Sequence, residues 1–90
     1  MLNRTLFDVL PIQEVVANAS PSAWRDGLVV SQGPGALTVM LLDGQEGTLV
    51  TGATPEVGEP VAIHPVAEVV AVGGTWYSAR PLVGADGGAS

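Results

Sequence analysis

The chain has 90 residues, which is room for one domain and one modest core; a chain of this size buries only about 60% of the surface its unfolded form exposes. It carries three arginines, no lysine and nine Asp plus Glu, a net charge of −6. Phosphate binding needs clustered cations that release counterions, and Arg4, Arg25 and Arg80 are scattered, so the balance excludes a nucleic-acid binder and equally a polybasic membrane-surface binder. With no cysteine there are no disulfides, thiolate metal sites or Cys nucleophiles, and the single histidine, His64, cannot build a His-rich metal site. The hydrophobic content of 47% is spread in short runs, none near the roughly 18 apolar residues of a membrane-spanning helix. Residues 1–8 lack the basic-then-apolar order of a signal peptide. High hydrophobicity with only 13% charged residues describes a folded chain, not a disordered one.

Residues 1–22 read as an arm or as one or two short helices. Leu2, Leu6, Phe7 and Leu10 fall at helical offsets, Asn3 could cap that turn, and Pro11 is predicted to stop it. Ile12, Val15, Val16 and Ala19 form a second apolar stripe, compatible with helix or strand, and Ser20-Pro21-Ser22 closes the segment. From Ala23 the pattern is β. A strand containing Leu28-Val29-Val30 runs into a turn at Gln32-Gly33-Pro34-Gly35. A strand over 36–42 runs into Asp43-Gly44, the strongest short hairpin signal, and 45–51 pairs back. A loop over 52–60 precedes a strand at 61–64. Pro65 removes a ladder donor there, which predicts an edge or a bulge, with the strand resuming over 66–72. Gly73-Gly74 predicts a tight hairpin to a last strand over 75–82, and residues 83–90 read as a flexible tail. Five or six short strands with glycine turns over 23–82 predict an all-β fold, a small closed antiparallel barrel of five to six strands.

One strand bears on function. In Leu37-Thr38-Val39-Met40-Leu41-Leu42 one face carries Leu37, Val39 and Leu41, and the other Thr38, Met40 and Leu42. A half-exposed antiparallel strand alternates apolar and polar; this one is apolar on both faces. Either the chain's own leading stripe folds back over the outer face, or a neighbouring subunit covers it, because monomers seldom expose large apolar patches. The run from Val66 to Val72, with Glu68 as its only charge, poses the same question.

Candidate chemistry is sparse. His64 is the chain's one side chain of the type used as a general base near neutrality, but in that role it needs a nucleophile and an orienting acid, and no serine here has an elbow context. The expected alternative is a strand histidine bonded to backbone or water. Asp43 with Glu46, and Glu56 with Glu59, are pairs of carboxylates in loops; calcium needs six or more ordered oxygens, so neither pair predicts a metal site. The glycine-rich stretches at Gly33 and Gly84 do not open a helix after a strand and are not phosphate loops. Trp24, Trp76 and Tyr77 read as core or seam aromatics. Trp24 or Trp76 exposed beside Arg25 or Arg80 would instead mark a small module binding an oxyanion or carbohydrate at the barrel mouth. No catalytic residue, cofactor or metal is therefore expected, and the chain reads as a non-enzyme.

A low-charge barrel with an arm at one end and a tail at the other has the profile of an assembly component. Its sequence carries Trp24-Arg-Asp-Gly27-Leu-Val-Val, then Leu37-Thr-Val-Met-Leu-Leu-Asp43-Gly44, then Thr54-Pro55-Glu-Val57-Gly58-Glu-Pro-Val61-Ala-Ile63, and Gly73-Gly74-Thr75-Trp76-Tyr77. From Trp24 to Leu82, about two thirds of the chain, this pattern resembles small OB-fold-like tail and virion structural proteins of phages infecting actinobacteria. His64-Pro65-Val66-Ala67 and the arm depart from it. The resemblance implies an OB-like barrel and a non-enzymatic virion part: minor tail protein, tail tip, baseplate or head–tail joint. It would be located in the virion, with other virion proteins as partners, a homo-oligomeric ring as its state, and neither nucleic acid nor membrane as a ligand. Leu2, Leu6, Phe7, Leu10, Ile12, Val15 and Val16 of the arm, with Thr38, Met40 and Leu42, are the expected subunit contacts. A capsid decoration protein is the nearest alternative; the oxyanion or carbohydrate module is the other.

Overall fold

The computed structural model describes residues 5–81. In chain order the elements are β1 (Thr5–Phe7), α1 (Pro11–Ala19), a 3-10 turn (Pro21–Ala23), β2 (Arg25–Gly33), β3 (Ala36–Leu41), β4 (Glu46–Thr51), β5 (Pro60–His64), β6 (Val69–Val72) and β7 (Thr75–Pro81). Glycines that can take a positive φ set the hairpins. Gly35 (φ 71°) turns β2 into β3, Gly44 (φ 90°) turns β3 into β4, and Gly73 (φ 61°) turns β6 into β7. At the second of these Asp43 Oδ1 accepts the Gln45 N–H at 2.9 Å, the Asx closure expected of an Asp-Gly turn.

The hairpins build two antiparallel meanders, β2–β3–β4 and β5–β6–β7. They join edge to edge twice, β2 against β5 and β4 against β7, which closes a six-stranded antiparallel barrel. Closure uses up strand edges that a chain without lysine has few means to guard. β1 is the one addition to this circuit. β4 pairs with β7 only from Leu49↔Pro81 to Thr51↔Ala79, and β1 lies parallel along the first half of β7, Thr5↔Thr75 to Phe7↔Tyr77.

The leading segment differs from the sequence reading in two ways. Leu6 and Phe7, at helical offsets in the sequence, are in strand β1, because the free edge of β7 offers backbone partners that outweigh a weak local preference. Pro11 starts a helix instead of stopping one. At the first helical position its missing N–H would have had no partner anyway. Leu10 gives the helix no side-chain cap, and Gln13 supplies the reciprocal bond, its Oε1 accepting the Leu10 N–H at 2.8 Å. Pro65 also differs: it opens a turn over 65–68 between β5 and β6, closed by His64↔Val69, and causes neither an edge nor a bulge within one long strand. Glu68 ends that turn at φ 59°. The bulge in this barrel lies in β2, where Val30 is the extra residue between Val29↔Val39 and Ser31↔Thr38. The barrel's last predicted residue, Leu82, and the tail over 83–90 lie outside the described residues.

Inward-facing residues alternate along every barrel strand. Val29, Leu37, Val39, Leu49, Val61, Ile63, Val70 and Ala79 fill the interior, with Ala53 from the β4–β5 loop and Leu41, Val72 and Tyr77 packed around them. A second, smaller cluster lies outside the barrel wall, where Ala17 of α1 meets Ala67 and Val69, flanked by Val9, Val16, Trp24 and Trp76. Adjacent residues Val69 and Val70 are both 0% exposed, one in each cluster. The helix therefore answers the question raised by the β6 run.

Gly27 holds the barrel's tightest approach. It pairs with Leu41 on one side and Val61 on the other, and a Cβ there would stand 2.6 Å from Val39 Cγ1 and 2.8 Å from the Met40 carbonyl oxygen. Overpacking against backbone is not easily relieved, so Gly27→Ala is expected to lower stability by about 2 kcal/mol in urea denaturation. Gly47→Ala, at a strand position with nothing within 4 Å, is the control expected to be neutral or slightly stabilising.

Candidate interaction surface

The side chains first considered for chemistry are occupied with structure. His64 is 0% exposed. Its Nδ1 accepts the Ala67 N–H at 3.1 Å and its Nε2 donates to the Ser20 carbonyl at 2.8 Å, so the neutral ring with its proton on Nε2 satisfies both partners. Trp24 meets the ring edge-on at 5.0 Å and packs on Trp76 at the same centroid distance. The histidine thus ties the end of α1 to the β5–β6 turn. Gln13 makes a second tie: its Nε2 donates to the carbonyls of Ala67 at 3.1 Å and Glu68 at 2.9 Å. Trp24 and Trp76 are both half-buried in this seam and do not present the exposed ring-and-arginine pair of a ligand module. Arg25 reaches Asp43 at 3.7 Å across an exposed surface, a pair worth little. Asp43 and Glu59 accept backbone N–H bonds within their own loops, and no group of three or more His, Asp or Glu able to hold a metal occurs among the described residues.

The apolar surface divides into covered and uncovered parts. α1 turns Val16 and Ala17 toward Val69 and leaves Ile12 and Val15, three residues apart, exposed beside Leu10 and Val66. On β3, Leu37 and Val39 are buried and Met40 is 39% exposed; Leu42, just past the strand's end, is 78% exposed. Thr38 is half-buried, its Oγ1 3.0 Å from Thr48 Oγ1. No described segment of the chain lies over this outer face.

The β2–β5 seam enlarges it. Leu28 stands opposite Met40 on one side and Pro60 on the other, both across strand ladders, and all three are exposed. The Leu42 N–H bonds the Asp26 carbonyl at 3.3 Å, which brings the exposed Leu42 to the same seam. An open groove of about 340 Å³ crosses the strands there, with Gly27, Ala62 and Ala71 in its lining and Leu28, Pro60 and Leu42 beside them. It is concave because small residues line it.

The predicted contacts do not form one surface. Leu6 and Phe7 are on β1, Leu10, Ile12, Val15 and Val16 are on or beside α1, and Thr38, Met40 and Leu42 are on or just past β3, with β7 and β4 between β1 and β3 in the sheet. Leu2 lies outside the described residues. Leu28 and Pro60 were not singled out from the sequence. The Leu28-Val29-Val30 run, also apolar on both faces, carried the signal for the first; the β2–β5 pairing that brings in the second has none. No protein-family model, no curated protein and no solved structure matches the chain.

His64→Ala strands the Ala67 N–H and the Ser20 carbonyl and opens a cavity, an expected loss of about 3 kcal/mol in thermal or urea unfolding. Gln13→Ala removes the tie to Ala67 and Glu68. Amide exchange is expected to speed up across α1 while β2 and β3 keep their protection.

Proposed function

We propose that the chain is a non-enzymatic structural subunit of a phage virion, acting by symmetric assembly with neighbouring virion subunits in a tail tip, baseplate or head–tail joint. The observation that carries this reading is the contrast between two strands that are apolar on both faces. β6 has its outer side shielded by the chain's own helix, whereas Met40 and Leu42 at β3, with Leu28 beside them, have no such cover among the described residues. A folded domain seldom leaves such a face to water unless another molecule sits on it. The closed barrel supplies a stiff body for such contacts, and the motifs between Trp24 and Tyr77 that resemble phage virion proteins supply the setting. The buried, fully bonded His64 agrees with a part that binds without doing chemistry.

The test is the assembled mass of the full chain, alone and with purified virions, by sedimentation velocity and mass spectrometry. Assemblies well above the monomer, or presence in purified particles, are expected. Met40→Glu with Leu42→Glu should weaken that association roughly tenfold or more, a change of about 1.4 kcal/mol, without altering the circular dichroism. A chain that stays monomeric at every concentration and is absent from particles overturns the reading.

A further inference from the structure

The strand circuit places two surfaces on opposite sides of the barrel. In the order β2–β3–β4–β7–β6–β5, the β2–β5 seam and the β4–β7 seam are diametrically opposed. The first carries the groove with Leu28, Pro60 and Leu42, and its charged neighbours are Asp26, Asp43 and Glu46 against Arg25 alone. The second carries the exposed Val50 directly across the ladder from the exposed Arg80, beside Phe7, whose ring lies 3.4 Å from where a Gly52 Cβ would stand; Asp8 borders the same hollow.

Charge decides which surfaces can meet. Groove against groove about a two-fold axis sets Asp26, Asp43 and Glu46 of one copy against the same three of the other, a like-charge juxtaposition that disfavours docking. The β4–β7 surface, with Arg80 balancing Asp8, adds no such excess and offers a guanidinium to Asp26. Both surfaces present exposed apolar side chains to bury. We infer that a second copy of this chain docks head to tail, its Phe7–Val50–Arg80 surface covering the Leu28–Pro60–Leu42 groove with Arg80 facing Asp26. This rests on the assembly reading above and specifies its partner and geometry. A head-to-tail contact repeats and closes into a ring when its rotation divides the circle, which a two-fold contact does not do.

The experiment is sedimentation velocity on the full chain and on Asp26→Arg, Arg80→Asp and the double variant, with Leu28→Glu as an independent probe of the groove. All three substituted positions are exposed, and circular dichroism checks the fold. Concentration-dependent association of the wild type is expected. Each single variant should weaken it about tenfold or more, and the double variant, which restores opposite charges, should recover to within a few-fold. Single variants that associate like the wild type, or a double variant no better than its parents, overturn the head-to-tail contact. A wild type that is monomeric alone but enters virion particles through Met40 and Leu42 also overturns it, and leaves the assembly reading standing.

Discussion

Both proposed surfaces depend on the seam where β2 meets β5. The residues it joins, from Arg25↔Ile63 to Leu28↔Pro60, are far apart in sequence, so the chain must close a long loop before any of these bonds stabilises it. Two backbone bonds extend the seam past the regular ladder, Gly58 N–H to the Val29 carbonyl at 2.7 Å and Val29 N–H to the Glu59 carbonyl at 3.1 Å. Gly27, in the middle of the seam, also keeps β2 close against β3, since a Cβ there would press on Val39 and the Met40 carbonyl. Without this seam the two meanders stay joined only through β4 and β7, as one open sheet, and the groove has no lining.

The helix shows how selectively the chain spends its little covering material. α1 has nine residues and shields one flank of the barrel. It is fixed there by hydrogen bonds whose partners converge on the β5–β6 turn: Gln13 on the carbonyls of Ala67 and Glu68, and His64 between Ser20 and Ala67. Those bonds act beside a small apolar patch of Ala17, Ala67 and Val69, so position comes from directed polar contacts as much as from burial. Among the described residues no comparable anchor lies over the outer faces of β2 and β3, where Leu28, Met40 and Leu42 are exposed.

What the sequence discloses follows from the range of each signal. The turns at Gly35, Gly44 and Gly73 are legible because a positive φ is a local demand that glycine meets. The all-β barrel is legible because strand length and turn spacing repeat. Pro11 misleads because a proline that ends one turn and a proline that begins a helix leave the same mark until the tertiary setting is known. β1 is three residues long and exists through its pairing with β7, so no pattern of its own announces it. The double-faced character of the β3 and β6 runs is visible in the residues themselves. Which of the two the helix shields is not, because that depends on the position of the 65–68 turn in space. Leu28 and Pro60 share a surface through a cross-barrel pairing, and for that reason the groove escapes any reading along the chain.

The brevity of β1 has a further consequence. The barrel returns on itself, so among the described residues strand backbone lacks a neighbour only over short runs such as β1, residues 46–48 of β4 and residues 30–33 of β2. Cross-β growth needs a longer template, of about six or seven residues. Copies that assemble as proposed can therefore meet through their side chains without one chain recruiting the next into a cross-β fibril.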